Sequence, residues 1–550
     1  MQYLKYISLA VFFWLMSGQL LAQGDPLAGK DTLVLENERI EDVIESEKPP
    51  LKLPYQEIKK GNIEGIEYIS RQFEVQTEFE PEPPIARKVD RPEQEDLPVG
   101  FVKLGIGRFI TPLAQLYLNN KQEGQHDIGF DFTHHSAHND KVELRRFRKD
   151  YANLAGTYFT GENQIQGQFN FYNTTYFNYA DTVTGATPEA RADSLRMGFS
   201  RVNIGANLLT SHNPDIEYDY NLGAALRYYG DRRSNNEFHL NLQPGGGYTI
   251  EDRVRIGIAT QFTYVRGDIA DIGQNRVFFE AYPSLSYTSD VFKASAGIVY
   301  NTFNNNADTT SFSNFGPRIE VSVALLEAFN LFAGYTSGMK HNHYYDMIFE
   351  NPYLANNVLI RPTVEKMNIY AGLQGNVGQR ADFTAKAYYK RLENPLIYAI
   401  QPNGVYFDAL YDSLTKVFGV YLEMNYDIAE AIKVGTALNY NNYNTSTVQK
   451  YFHASPLRLD IHGSYTTLEK KLTVSGALNV FGPTPFAVDE NSEVINRSIF
   501  ADVNLSADYR ISKRFSVFLA LNNLLGTNYQ RWYNYPERPI DFMGGLTLSF

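Results

Sequence analysis

Residues 254–264 read Val-Arg-Ile-Gly-Ile-Ala-Thr-Gln-Phe-Thr-Tyr. Val254, Ile256, Ile258, Thr260, Phe262 and Tyr264 share one face of an extended chain, and Arg255, Gly257, Ala259, Gln261 and Thr263 share the other. Successive side chains alternate across a strand, so a period of two marks a strand with one apolar and one polar face. The texture returns in Ile432, Val434, Thr436, Leu438 and Tyr440 against Lys433, Gly435, Ala437 and Asn439. It returns again in Leu457, Leu459 and Ile461 against Arg458, Asp460 and His462, and in Leu472, Val474, Gly476, Leu478 and Val480. In a soluble sandwich the apolar face points into a core. In a transmembrane barrel it points outward to lipid, and the polar face lines the lumen.

Composition favours the second arrangement. The 550 residues include 39 Tyr, 36 Phe, 40 Gly and no Cys, with a formal charge of −12. A mean hydropathy of −0.35 excludes a helical membrane bundle. It suits a barrel, in which only every second residue meets lipid. The negative charge argues against nucleic-acid binding, which needs a basic face. Without cysteine there are no disulfides, thiolate zinc sites, iron–sulfur clusters or cysteine nucleophiles.

The chain divides into three parts. Residues 1–22 read as a secretory signal peptide: Lys5 supplies a positive start, Ile7 to Met16 an apolar stretch too short to span a bilayer, and Leu20-Leu21-Ala22 a cleavage site. Residues 23–100 hold 19 acidic and 10 basic residues and nine of the 24 prolines, including Pro49-Pro50 and Glu80-Pro81-Glu82-Pro83-Pro84. This composition predicts an extended periplasmic or lumen-entering segment able to recruit an envelope partner. Residues 101–550 hold the alternating segments. They come in pairs joined by tight turns near Gly161-Glu162-Asn163, Glu251-Asp252, Ser289-Asp290, Gly378-Gln379 and Ser512-Lys513. Longer loops separate the pairs near 181–194, 302–312, 341–362, 399–412 and 484–497. Short periplasmic turns alternating with long outer loops predict an all-β, antiparallel transmembrane barrel of about 22 strands. Aromatic clusters at Phe171-Tyr172, Tyr176-Phe177, Tyr228-Tyr229 and Trp532-Tyr533 suit interfacial girdles.

At the end of the chain, Ile540, Phe542, Gly544, Leu546, Leu548 and Phe550 alternate with Asp541, Met543, Gly545, Thr547 and Ser549. A final alternating strand closing on an aromatic looks like the signal read by the barrel-assembly machinery, with Phe542, Leu546, Leu548 and Phe550 as its residues.

A series of motifs is more specific. It begins with Asn351-Pro352-Tyr353-Leu354, Arg361-Pro362-Thr363-Val364-Glu365 and Tyr370-Ala371-Gly372-Leu373. Lys386 to Arg391 and Asn394-Pro395-Leu396-Ile397-Tyr398 follow, then Gly419-Val420-Tyr421-Leu422-Glu423. Leu519 to Leu525, Tyr529 and Tyr535-Pro536 complete it. In that order the series resembles the barrel of TonB-dependent outer-membrane receptors over about 200 residues. The resemblance implies an outer-membrane location in a Gram-negative bacterium and solute uptake. Receptors of this kind carry an N-terminal plug domain and a short box that contacts an energising periplasmic protein. Residues 23–100 show no Gly-rich plug-like pattern, so the expectation is a barrel with no separate plug domain.

Candidate sites are few. His134, His135 and His138 end an early segment, and His341 and His343 with Asp346 lie in a predicted loop. Neutral imidazoles at such spacings can ligate zinc, copper or nickel. On a strand, however, His134 and His138 share a face that His135 does not, and a polar lumen-facing strand end or a solvated loop is the better explanation. No metal or cofactor is therefore assigned, and His134, His138, His341 and His343 stand as the weak candidates. Ser136 sits among histidines, but no Gly-x-Ser-x-Gly elbow frames it, so no enzyme is expected. Asp181, Asp193, Asp231 and Asp308 form no Asp-x-Asp-x-Asp-Gly calcium loop. Gln243-Pro244-Gly245-Gly246-Gly247 suggests a bulge or a close packing point.

Two functions follow: passage or uptake of a solute, or a non-transporting barrel that scaffolds an envelope complex. A secreted soluble β protein is a third and weaker reading. Arg255, Arg318 and Arg458, on polar strand faces, suggest a wall against which residues 23–100 fold to occlude the lumen.

Overall fold

The computed structural model describes residues 99–120, 125–138, 145–180, 193–210, 217–307, 310–326, 328–467 and 469–550. The signal peptide and the acidic segment, and with them the expected absence of a plug, lie outside the described residues. So do Asp181 and Asp308.

The alternating segments pair in sequence order into one antiparallel sheet of 22 strands, the number expected. The sheet closes on itself: the first strand (Gly100–Gly107) pairs with the last (Asp541–Ser549) from Phe101–Ser549 to Gly107–Met543. Two bonds finish the seam, Gly100 N to Phe550 O at 3.1 Å and Phe550 N to Gly100 O at 3.0 Å. Closure leaves no unpaired edge, which a sheet in lipid requires.

Side-chain direction settles which face meets what. Leu222, Leu226, Ile256, Ile258, Leu285, Ile298, Leu331, Ile369 and Leu546 all stand exposed on the outer wall. Arg255, Gln261, Glu280, Arg318, Tyr370 and Lys386 fall on the opposite, inward parity. Apolar residues out and polar residues in is the inverse of a soluble sandwich, and it is the arrangement a barrel in lipid needs. Among the described residues no helix is long and apolar enough to cross a membrane. The lumen arginines already have carboxylate partners in the wall: Arg255 with Asp219 at 2.6 Å, Arg318 with Glu320 at 3.6 Å and Arg458 with Asp460 at 2.9 Å.

The wall is uneven. Strands beside the seam are short, 8 residues in Phe515–Asn522 and 9 in Asp541–Ser549. Those opposite are long, reaching 17 in Ile272–Thr288. About 9–11 residues cross a bilayer, so the long strands rise beyond it at the loop end. There the pattern inverts. Val265 and Ile269 are buried inward while Arg266 and Asp268 stand exposed outward. Water lies outside at that height, and something apolar fills the inside.

The glycine cluster makes no bulge: Leu242–Phe262 and Gly245–Ala259 keep one register, and Leu222 pairs directly with Pro244. It is a close packing point instead. A Cβ at Gly246 would meet the Asp219 carbonyl oxygen at 2.7 Å.

Candidate functional site

The apolar filling at the loop end comes from the loops. The connection 341–362 carries a seven-residue helix, Tyr344–Glu350, whose Tyr344, Tyr345, Met347 and Ile348 are buried. The inner wall holds it. Arg233 Nη2 and Asn235 Nδ2 donate to the Tyr344 hydroxyl at 2.8 and 3.0 Å. The Tyr345 amide donates to Glu237 at 3.2 Å, and Arg276 donates to the Asn342 carbonyl at 3.2 Å. Arg276 and Glu237 form an ion pair with no exposed surface on either side chain. His239 Nε2 lies 3.2 Å from the same carboxylate.

A hairpin, Leu396–Ile400 with Phe407–Tyr411, packs on this helix. Tyr398 donates to Glu350 at 3.1 Å, and Leu354 bridges to Phe407 in parallel. The loop before the last strand completes the layer. Tyr535 donates to the Val405 carbonyl at 2.7 Å and stacks on Tyr353 with centroids 3.4 Å apart. Trp532 meets Tyr398, Phe407 and His453 at 5.0–5.3 Å. Arg145 Nη1, from a loop rooted beyond the seam, donates to the Glu537 carbonyl at 2.7 Å. Loops rooted on different sides of the barrel therefore meet over its mouth, and their buried aromatic rings join them. Each such ring contributes about 1.5–3 kcal/mol by burial.

Asp412 ties two of these loops together. It accepts from the Thr415 and Thr447 hydroxyls at 2.7 and 2.8 Å and from the Ser446, Thr447 and Val448 amides at 2.6–3.1 Å. Burial alone would raise its pKa. The Thr415 hydroxyl and the three amides outweigh it and hold the carboxyl down at about 2.

Burial lowers the histidines of the cap: His341 and His453 to about 4, and His343 well below the ordinary imidazole range. Asp346 is exposed on the cap helix, but the surrounding protein strips enough water from it to push its carboxyl up to about 7.

The sequence candidates divide. His341 and His343 belong to the cap, with ring centroids 6.1 Å apart, and His343 packs 4.4 Å from His239. Among the described residues no three metal-ligating side chains converge. His134 sits on the outward parity of its strand, with Nδ1 2.7 Å from Asp150 and Nε2 3.1 Å from Ser136 Oγ. The order Ser, His, Asp resembles a hydrolytic triad, but the Ser136 side chain is buried and Asp150 is shared with Arg148 and Asn173. His138 is exposed at the strand end. Asp193 is exposed, and Asp231 pairs with Arg233 and accepts from the Arg233 and Asn235 amides, shaping a turn. Phe542, Leu546, Leu548 and Phe550 stand on the outer wall beside the seam.

Sequence reading missed the cap. Of the residues read as girdle, Tyr172, Tyr229 and Trp532 are buried inside the mouth, whereas Phe171 and Phe177 fall on the outward parity of their strand and Tyr228 stands exposed outward. The available signals were the inward parity of Glu237, His239 and Arg276, and loops rich in Tyr, Phe and Trp where polar residues are the norm.

A closed 22-stranded barrel with an apolar outer wall, a polar lumen and a mouth covered by its own loops defines a large barrel of the outer-membrane type. The family model described as TonB dependent receptor-like, beta-barrel matches residues 100–524, and the chain belongs to that family. No curated protein matches its sequence. Among solved structures it is similar to the FrpB iron transporter from Neisseria meningitidis, at 12% identity over 83% of each chain with a TM-score of 0.64. The ferric-catecholate import receptor Fiu from E. coli K12 matches at 10% identity over 82% of each chain, TM-score 0.62. The copper transporter OprC matches at 13% over 84% of this chain and 82% of its own, TM-score 0.61. At such identities these likenesses concern the fold.

Proposed function

We propose that this protein is an outer-membrane barrel of a Gram-negative bacterium that passes a solute across the membrane, with the loop cap as its outer gate. The observation that carries the reading is a polar lumen roofed on one side by loops that meet through side chains. The transporters named above share the barrel and support the reading. Outer-membrane lipids surround the wall. The barrel-assembly machinery reads the last strand through Phe542, Leu546, Leu548 and Phe550. Residues 23–100, by composition, serve as a periplasmic segment for an envelope partner.

Single-channel conductance in planar bilayers tests the gate. The mature chain from Gln23 is expected to be closed, and a Trp532→Ala/Tyr535→Ala variant to open. Steady current through the unaltered chain would overturn the gate.

The density of contacts in the cap favours one other reading, a non-transporting scaffold. That reading expects both proteins to stay closed and a stoichiometric partner to co-purify under mild detergent.

A further inference from the structure

Halfway down the lumen, away from the cap, the inner wall carries a recess of about 410 Å³ lined by strand residues, among them Phe332, Lys386, Tyr388, Lys390, Tyr421 and Asn439. Phe332 and Tyr388 form its floor, Tyr370 lies beside it under Lys386, and register lays all three rings down. Phe332 pairs with Gly372, Tyr370 with Gly334, and Tyr388 with Gly419. A Cβ at any of these glycines would run into the ring paired with it. Each ring therefore lies flat over the glycine of the next strand and turns its other face to the lumen. Two of the rings are pinned at their far ends: Tyr370 donates to Glu320 at 2.6 Å, and Tyr388 to Asn441 at 2.5 Å.

Above this floor stand two ammonium groups. Lys386 Nζ lies 4.3 Å from the centre of the Tyr370 ring and 5.8 Å from that of Tyr388. Lys390 Nζ lies 5.4 Å from Tyr388 and 3.5 Å from a Glu365 carboxylate oxygen. The lumen arginines Arg255, Arg318 and Arg458 are paired with carboxylates. Lys386 has no carboxylate within ion-pair distance among the described residues. A half-buried cation that feels Glu320 and Glu365 only through space and makes no direct ion pair, beside flat ring faces, offers a charge-assisted hydrogen bond and a stacking surface together.

We propose that this recess binds small aryl carboxylates, the carboxylate on Lys386 and the ring on the floor made by Phe332 and Tyr388. The assignment deepens the solute-passage reading and rests on it for the biological role, though not for the binding itself.

The test is ligand-observed NMR with benzoate on the purified mature chain in detergent. Acetate serves as the anion without a ring and benzamide as the ring without a charge. Benzoate is expected to bind saturably, with acetate and benzamide each at least about tenfold weaker. Lys386→Met is expected to weaken benzoate at least about tenfold, and Lys386→Arg to retain it within about threefold. Gly419→Ser, which displaces the Tyr388 ring and leaves both lysines, is expected to weaken benzoate and leave acetate unchanged. Heat-modifiable migration on gels checks that each variant keeps its barrel.

No saturable benzoate binding, equal binding by Lys386→Met, or equal affinity for acetate and benzoate would each overturn the assignment. Benzoate flux into liposomes through the Trp532→Ala/Tyr535→Ala variant, whose cap is expected to open, separates the two proposals. Binding without flux counts against solute passage and leaves the recess standing. Flux unchanged by a folded Lys386→Met variant that has lost binding limits the recess to binding and supports its independence from passage.

Discussion

Arg276 and Glu237 meet at the loop end across the strand Val254–Ile269, which lies between their own two long strands, and neither side chain has any exposed surface. One arginine donor reaches the Asn342 carbonyl, and the glutamate accepts the Tyr345 amide. The pair thus joins the wall to the start of the cap helix. Glu237→Gln or Arg276→Met leaves one buried charge uncompensated, at a cost of about 3–5 kcal/mol. The expected result is a cap that is cleaved by added protease while the barrel still migrates as a folded species. The double variant is expected to recover part of the loss. Equal protease resistance in the single variants would contradict this role.

Asp412 holds the 394–414 and 445–456 loops together through hydroxyls and amides. Asp412→Ala leaves three amides without that acceptor, at about 1–3 kcal/mol for each group that water does not reach. Proteolytic nicking in 445–456 on intact cells is the readout, with the variant cut and the parent resistant. The carboxyl sits at about 2 against an ordinary 3.8, so its contribution is present above pH 4 and fades only as pH falls through about 2. Between pH 5 and 8 the Asp412 effect is expected not to vary.

The cap histidines give the closure a pH dependence. His341 and His453 sit at about 4, and His343 is lowered further, all by burial. A depressed pKa means the packed state binds fewer protons than the open one. Their contribution is present above about pH 6.5 and is lost as pH falls toward 4. Asp346, raised to about 7, acts in the other direction: its contribution is present below pH 3.8 and is lost as pH rises through 7. Three rings outweigh one carboxyl on the acid side. The cap is expected to be tightest near pH 6–7 and to loosen steadily toward pH 4, measured as rising single-channel open probability. A flat profile would count against the buried histidines.

Ile258 and Gln261 lie on one strand, the first exposed on the outer wall and the second on the inward parity. Ile258→Arg places a charge against lipid and is expected to cost about 2–4 kcal/mol, whereas Gln261→Arg costs little. Urea unfolding of the barrel in lipid vesicles compares them. Equal midpoints would mean that the outer wall does not face hydrocarbon.

Phe550 lies at the seam, with its amide and carbonyl bonded to Gly100. Phe550→Ala is expected to reduce the folded barrel recovered in the outer-membrane fraction several-fold while leaving refolding in detergent unchanged. A parallel loss in detergent would assign the phenyl group to stability.

The alternation of residues such as Ile256, Arg255, Ile258 and Gly257, taken with composition and the turn pattern, was enough to indicate a barrel, about 22 strands and which face is apolar. A period of two in a closed sheet leaves each side chain only two directions, and the excess of apolar residues on one of them says which meets lipid. Tight turns such as Glu251-Asp252 fixed which end carries the loops. What the loops do was decided only in three dimensions. Nothing in the spacing of Tyr353, Phe407 and Tyr535 says that they stack, since their meeting depends on how far each loop reaches across a mouth whose width is set by all 22 strands. Tyr228 and Tyr229 take opposite faces by simple alternation, but that the inward Tyr229 is buried beneath a cap and does not line open lumen depends on how high its strand end stands and where the loops reach, which are properties of the assembled wall. The flat lie of the Tyr370 and Tyr388 rings is likewise a matter of register: a glycine one strand away, 36 residues before Tyr370 and 31 after Tyr388, leaves the space in which each ring lies down.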